Sequence, residues 1–172
     1  MLKLIGACLI VCGCCGLGRK VVSGYRGRMN ALQELCNILE LMAGEIHYER
    51  SSLPQCCERV AAHLHPPFSV RFHRISERMK ENRGVSFAGI FRQETEDLLE
   101  ERPLRKGDIE KFWEFTETTG FADGDMQVRA LRRSVEHLKE ERQKLLEEEK
   151  EKGKVVKGLS IMSGLLIVLI LW

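Results

Sequence analysis

The chain has 172 residues, 30% of them Asp, Glu, Lys or Arg, and a formal net charge of +2 at pH 7. Glu and Lys are interspersed as on solvated helix faces, which excludes the one-signed patch that nucleic-acid binding needs. Seven cysteines, with Cys8, Cys12, Cys14 and Cys15 in a single apolar stretch, do not make a disulfide framework.

In chain order, the first element is apolar. Residues 1–18 carry one charge, Lys3. A membrane span takes about 20 helical residues, so residues 1–20 are expected to form a transmembrane segment with Lys3 snorkelling to an interface. A cleaved signal peptide and a lipoprotein signal around Val11-Cys12-Gly13-Cys14 are the rival readings. Against both, Lys3 is alone before the apolar run, and Arg19 and Lys20 follow it at once, which is the wrong flank for export. Residues 21–29 read as a connection.

Residues 30–152 read as a helical bundle with a C-terminal stalk. Leu32, Leu35, Leu39, Met42 and Ile46 recur at three- and four-residue steps and predict a helix over 30–48. Ser51-Ser52-Leu53-Pro54 is a start signal, with Ser to cap and Pro tolerated in the first turn. The second helix places Leu53, Cys57, Val60 and Leu64 on one side, and His65-Pro66-Pro67 stops it. Phe68, Phe72, Ile75 and Met79 mark a third helix that Asn82-Arg83-Gly84 closes. Ser86 is expected to cap a fourth, burying Ile90, Phe91, Leu98 and Leu99, with Pro103 beyond its end. Asp108 is expected to cap a fifth, with Ile109, Phe112, Phe115 and Trp113 toward the core and Gly120 at its end.

The last helix starts near 123–125 and reaches 152, about 28 residues or roughly 42 Å at 1.5 Å per residue. Leu131, Val135, Leu138, Leu145 and Leu146 mark its apolar side. After them, Glu147–Lys152 is charged all round, with Gly153 and Gly158 as weak points. Residues 155–172 form the second expected span. They are apolar on every face where a core helix would alternate, with Lys157 at one interface and Trp172 as an interfacial anchor. The fold class is therefore all-α: an antiparallel bundle of about six helices flanked by N- and C-terminal transmembrane helices.

Lys and Arg near the spans set orientation. Arg19, Lys20, Arg26 and Arg28 follow the first, and Lys150, Lys152, Lys154 and Lys157 precede or open the second. Both biases put the middle of the chain in the cytoplasm, where thiols stay reduced.

No catalytic, cofactor-binding or metal-binding residue is assigned, and no cofactor is expected. Cys56-Cys57 with His63 and His65 is the strongest metal candidate. However, Cys56 and Cys57 point about 100° apart on a helix, and no second Cys pair completes the set. Packing of Cys57 and surface histidines are the simpler reading. The thiols of the first span lie in apolar surroundings that raise their pKa and make them inert. Glu100-Glu101 and Glu147–Glu149 read as solvated faces, and His47-Tyr48 as packing at a helix end. Gly13–Gly18 lacks the Lys-Ser/Thr ending of a phosphate loop. If the chain uses energy, a partner supplies it.

Several short patterns in order carry a resemblance. They are Met1-Leu2-Lys3-Leu4-Ile5-Gly6-Ala7, Ala31-Leu32-Gln33, Leu41 through Glu45-Ile46-His47-Tyr48, Leu53-Pro54, Gly120-x-x-Asp123 with Gln127, and Ser163-Gly164-Leu165-Leu166 before an apolar end. Together they resemble the stage III sporulation protein AB family of endospore-forming Firmicutes. Two departures are Thr118-Thr119 before Gly120, where the family usually has a leucine, and the cysteine content of the first span.

The resemblance implies a soluble part similar to the cytoplasmic helical domain of the type II secretion platform protein. It implies a non-enzymatic, integral-membrane component of the channel between mother cell and forespore, with its central domain in the mother-cell cytoplasm at the outer forespore membrane. The implied partners are other subunits of the stage III channel, a secretion-like ATPase of the same operon and the lipid bilayer, with no nucleic acid and no small-molecule substrate. The alternative function is a membrane-tethered regulator or scaffold whose bundle binds a soluble partner outside any channel. A membrane thiol enzyme is a third reading.

Overall fold

The computed structural model describes the backbone of residues 2–81, 84–119 and 123–171, and their side chains except at 2–23, 118–119, 152–157, 159–161 and 163–171. The described residues form helices and no strand: α1 (Leu2–Glu49), α2 (Leu53–His63), α3 (Phe68–Lys80), α4 (Phe87–Glu100), α5 (Lys106–Thr119) and α6 (Gly124–Leu171). The all-α class is as expected.

Two boundaries differ from the expectation. α1 is unbroken through 21–29, where a connection was read, and α6 continues through Gly153 and Gly158. An isolated glycine in a helix costs about 1 kcal/mol relative to Ala but does not break it as proline does. Among the described residues no helix is long and apolar enough to cross a membrane. The two expected spans, 1–20 and 155–172, lie outside the residues whose side chains are described, except for Gly158 and Met162.

The chain divides into two compact units, 1–29 with 143–172 and 30–142. In the first, Arg26 Nε donates to Glu149 Oε1 at 3.2 Å.

The second unit is the bundle. Its N-terminal helix segment buries Leu32, Leu35, Leu39, Met42 and Ile46, the predicted stripe, together with Ala31, Cys36, Ile38 and Ala43. The stripe is wider than expected because this helix packs on more than one neighbour. Glu45 and Glu49 take Arg59 from α2, Glu34 takes Arg102, and Glu40 takes Lys139 of α6 at 2.6 Å. The side chain of Gln55 turns back to accept the Ser52 N–H and closes the first turn of α2. Ser86 Oγ accepts the Gly89 N–H at 3.2 Å, the N-cap bond that the sequence predicted for α4.

Asp108 is not the cap of α5. That helix starts at Lys106, and Asp108 sits within its first turn, where its carboxylate accepts the Arg105 N–H at 2.9 Å. A third-position acid reaching back to the capping residue satisfies the same orphan donor from inside the helix.

A cluster of aromatic rings lies where α3, α4 and α5 meet. Phe91 is fully buried, with ring centroids of Phe72, Phe87, Phe112 and Phe115 at 5.6, 5.5, 5.6 and 5.3 Å. Beside it, Thr95 Oγ1 donates to the Phe91 carbonyl and accepts Trp113 Nε1 at 3.0 Å, so the indole N–H is satisfied in the interior. Successive helices run antiparallel. Arg92 meets Glu117 and Thr95 meets Trp113 between α4 and α5, and Glu114 meets His137 and Lys111 meets Glu141 between α5 and α6.

Candidate functional site

A cleft of about 710 Å³ opens at one end of the bundle, where the C-terminus of α1, the turn into α2 and the start of α6 meet. It is built from local signals. α1 ends at Glu49, and Arg50 takes φ 47°, the left-handed conformation that usually follows a helix and usually belongs to glycine. This reversal sends Ser51 inward, where it is buried, and leaves Ser52 exposed to start α2. Pro54 lies within the first turn of α2, where its missing N–H costs nothing. Across the cleft, Asp123 accepts the Gly124 N–H at 2.8 Å and its carbonyl accepts the Gln127 N–H, opening α6. The start of α6 lies beside α1: a Cβ at Gly124 would stand 3.9 Å from Ile46 Cγ2, an ordinary van der Waals contact.

The walls are of mixed character. Ile46, Leu53, Pro54 and Met79 supply apolar surface, Arg50 and His47 sit on one side, and Asp123 and Asp125 on the other. Next to the cleft, Tyr48 is 81% exposed, its ring held edge-on by His47 at 4.8 Å. Two oppositely charged rims around apolar surface, beside an exposed tyrosine, suit a protein partner.

The residues weighed for chemistry lie elsewhere. Cys56 and Cys57 are both fully buried, Cys56 Sγ lying 3.7 Å from the Met42 carbonyl, whereas His63 and His65 are exposed. Burial, helped by Glu45, pushes the Cys56 thiol up to about 12. Burial and the neighbouring Cys56 and Glu58 push Cys57 up as well. Cys36 is raised by burial, partly offset by Lys139. Thiols held protonated in this way are poor nucleophiles and poor metal ligands. No cluster of three or more His, Cys, Asp or Glu side chains placed to hold a metal occurs among the described residues. Glu100 and Glu101 are exposed, and Glu149 is paired with Arg26. Cys8, Cys12, Cys14 and Cys15 lie outside the residues whose side chains are described.

Sequence reasoning assigned no site residue and did not bring these segments together. A signal was nonetheless present. Ile46, His47, Leu53, Pro54, Asp123 and Gln127, drawn from three separate patterns that carried the family resemblance, all line this one cleft.

The comparisons with known proteins agree with one another. The profile of the stage III sporulation protein AB family matches residues 3–172. A stage III sporulation protein AB of Bacillus subtilis (strain 168) is 26% identical over 171 residues, covering 99% of each chain. A solved structure of a stage III sporulation protein AB shares the fold at a TM-score of 0.61 and 21% identity, over 72% of this chain and 96% of that one. With a match that spans nearly its whole length, this chain belongs to the stage III sporulation protein AB family.

Proposed function

We propose that this chain is a non-enzymatic, membrane-anchored platform component of the sporulation channel between mother cell and forespore. Residues 1–20 and 155–172 cross the outer forespore membrane. The bundle lies in the mother-cell cytoplasm, assembled with other subunits of the stage III channel. Its cleft docks the secretion-type ATPase of the same operon. The single observation that carries this reading is the family match over residues 3–172. The apolar ends with basic inner flanks, and the exposed Tyr48 beside a cleft lined by the family-like residues, support its two finer parts. A bundle held near a membrane has the mechanical role of a relay: an ATPase bound at one place can position the channel at another.

Two measurements test the reading separately. Ala62 is exposed on α2. Ala62→Cys should react with a membrane-impermeant maleimide only after the mother-cell membrane is opened, and labelling of intact cells would overturn the topology. The full-length chain solubilised from sporulating cells should co-purify with the ATPase. Failure to do so, in membranes and in detergent alike, would overturn the docking assignment and leave the topology standing.

A further inference from the structure

The two walls of the cleft meet the needs of their helices differently. The start of α6 carries its own acids: Asp123 Oδ1 accepts the Gly124 N–H at 2.8 Å, and Asp125 lies in the first turn. α2 has no acid in its first turn. The Ser52 N–H goes to the neutral Gln55 Oε1, Pro54 has no N–H, and the Cys56 N–H takes the Ser52 carbonyl. The Leu53 N–H is left at the positive end of the helix, where Ser52, Leu53 and Pro54 wall the cleft.

Two further features stand on the same wall. Ser51 is only 9% exposed, lines the cleft, and its hydroxyl has no hydrogen-bond partner among the described residues. A buried hydroxyl without a partner costs stability. Unlike the Ser134 hydroxyl, which is sealed in the core, this one is open to a group that enters the cleft. Arg50, just before it, also lines the cleft and holds φ 47°. A glycine would take that conformation without strain, so the reversal of the chain does not call for an arginine. What arginine adds is a guanidinium beside the unpaired hydroxyl and the free end of α2.

We propose that this wall is an anion site, and that it takes the carboxylate of an acidic side chain on the protein that docks in the cleft. The Arg50 guanidinium, the Ser51 hydroxyl and the Leu53 N–H donate to it, at the end of α2 where the helix dipole favours negative charge. Asp123 and Asp125 confine the acid to the α2 side and leave the opposite rim to a basic neighbour on the same segment. The inference rests on the cleft being the docking surface and names the chemistry that the cleft reads.

Two measurements on the full-length chain in a non-ionic detergent separate the anion site from the docking. The first uses inorganic phosphate as the probe. Titrated into the chain labelled at leucine, it should shift the Leu53 amide resonance saturably in the parent and far less in Arg50→Gly. No shift in the parent, the same saturation in Arg50→Gly, or equal shifts at leucines away from the cleft would overturn the site whether or not the ATPase binds. The second is capture of the ATPase. Arg50→Gly removes the guanidinium and relieves the backbone, so it should hold or raise the denaturation midpoint while weakening capture about tenfold or more. Ser51→Ala should weaken capture less, and Arg50→Lys, which keeps the charge, should retain part of what Arg50→Gly loses. Undiminished capture by Arg50→Gly would overturn the anion site and leave the docking standing. A parent that captures nothing would overturn the docking, and the phosphate titration then decides the site.

Discussion

The layer of α3, α4 and α5 and the end of the bundle where α1, α2 and α6 meet are built on opposite rules. The first surrounds Phe91 with four other rings and satisfies its few polar groups internally, as Thr95 does for Trp113. The second is open, carries both signs of charge, holds Arg50 in a conformation suited to glycine and leaves Tyr48 81% exposed. The difference separates two tasks within one unit. Substitutions in the ring cluster should change stability, and substitutions at the cleft should change binding.

The largest effect falls in the cluster. Phe91→Ala removes the ring that the others pack on and should destabilise the bundle by about 3–5 kcal/mol, read as a lower midpoint in chemical denaturation. A much smaller loss would mean that the neighbours collapse into the space. Ser134 is fully buried on α6, and its hydroxyl lacks a hydrogen-bond partner among the described residues. Ser134→Ala should therefore be neutral or stabilise by up to about 1 kcal/mol.

Smaller still is the contribution of Glu58, whose side chain is 40% exposed. Burial raises its pKa, but the Ser76 hydroxyl, His73 and Lys80 together outweigh this and lower it. The folded state then holds the proton less tightly than the unfolded chain does. The stabilisation is thus present above the ordinary glutamate range and is lost as pH falls through the lowered value. Glu58→Gln should be less stable than the parent at pH 7, and the gap should close as the pH is taken below 4. A gap that widens on acidification would contradict the assignment.

How much could be read from the sequence differs between the same two regions. The ring cluster was legible because Phe68, Phe72, Ile75, Ile90, Phe91, Phe112 and Phe115 follow the helical period, and period is what burial against a neighbouring helix imposes. Ser52, Pro54 and Ser86 marked helix starts through the hydrogen-bond needs of the first turn. Asp108 misled by three residues because an aspartate satisfies the same donors as a cap or from within the first turn. Cys56 was read as lying off the packed face, yet α2 is covered from two sides and both cysteines are buried. The cleft was not legible at all as a site. Its lining comes from three segments, and no period or spacing in one dimension says that Ile46 and Gly124 are neighbours. Only short patterns scattered along the chain, noticed for their family likeness, later proved to converge.

The separation of tasks is tested most directly at Tyr48. Tyr48→Ala in the full-length chain should leave the denaturation midpoint within about 0.5 kcal/mol of the parent, as for an exposed side chain. It should also abolish co-purification with the ATPase and block spore formation. Normal sporulation with undiminished ATPase capture would contradict the assignment of the cleft as the docking surface.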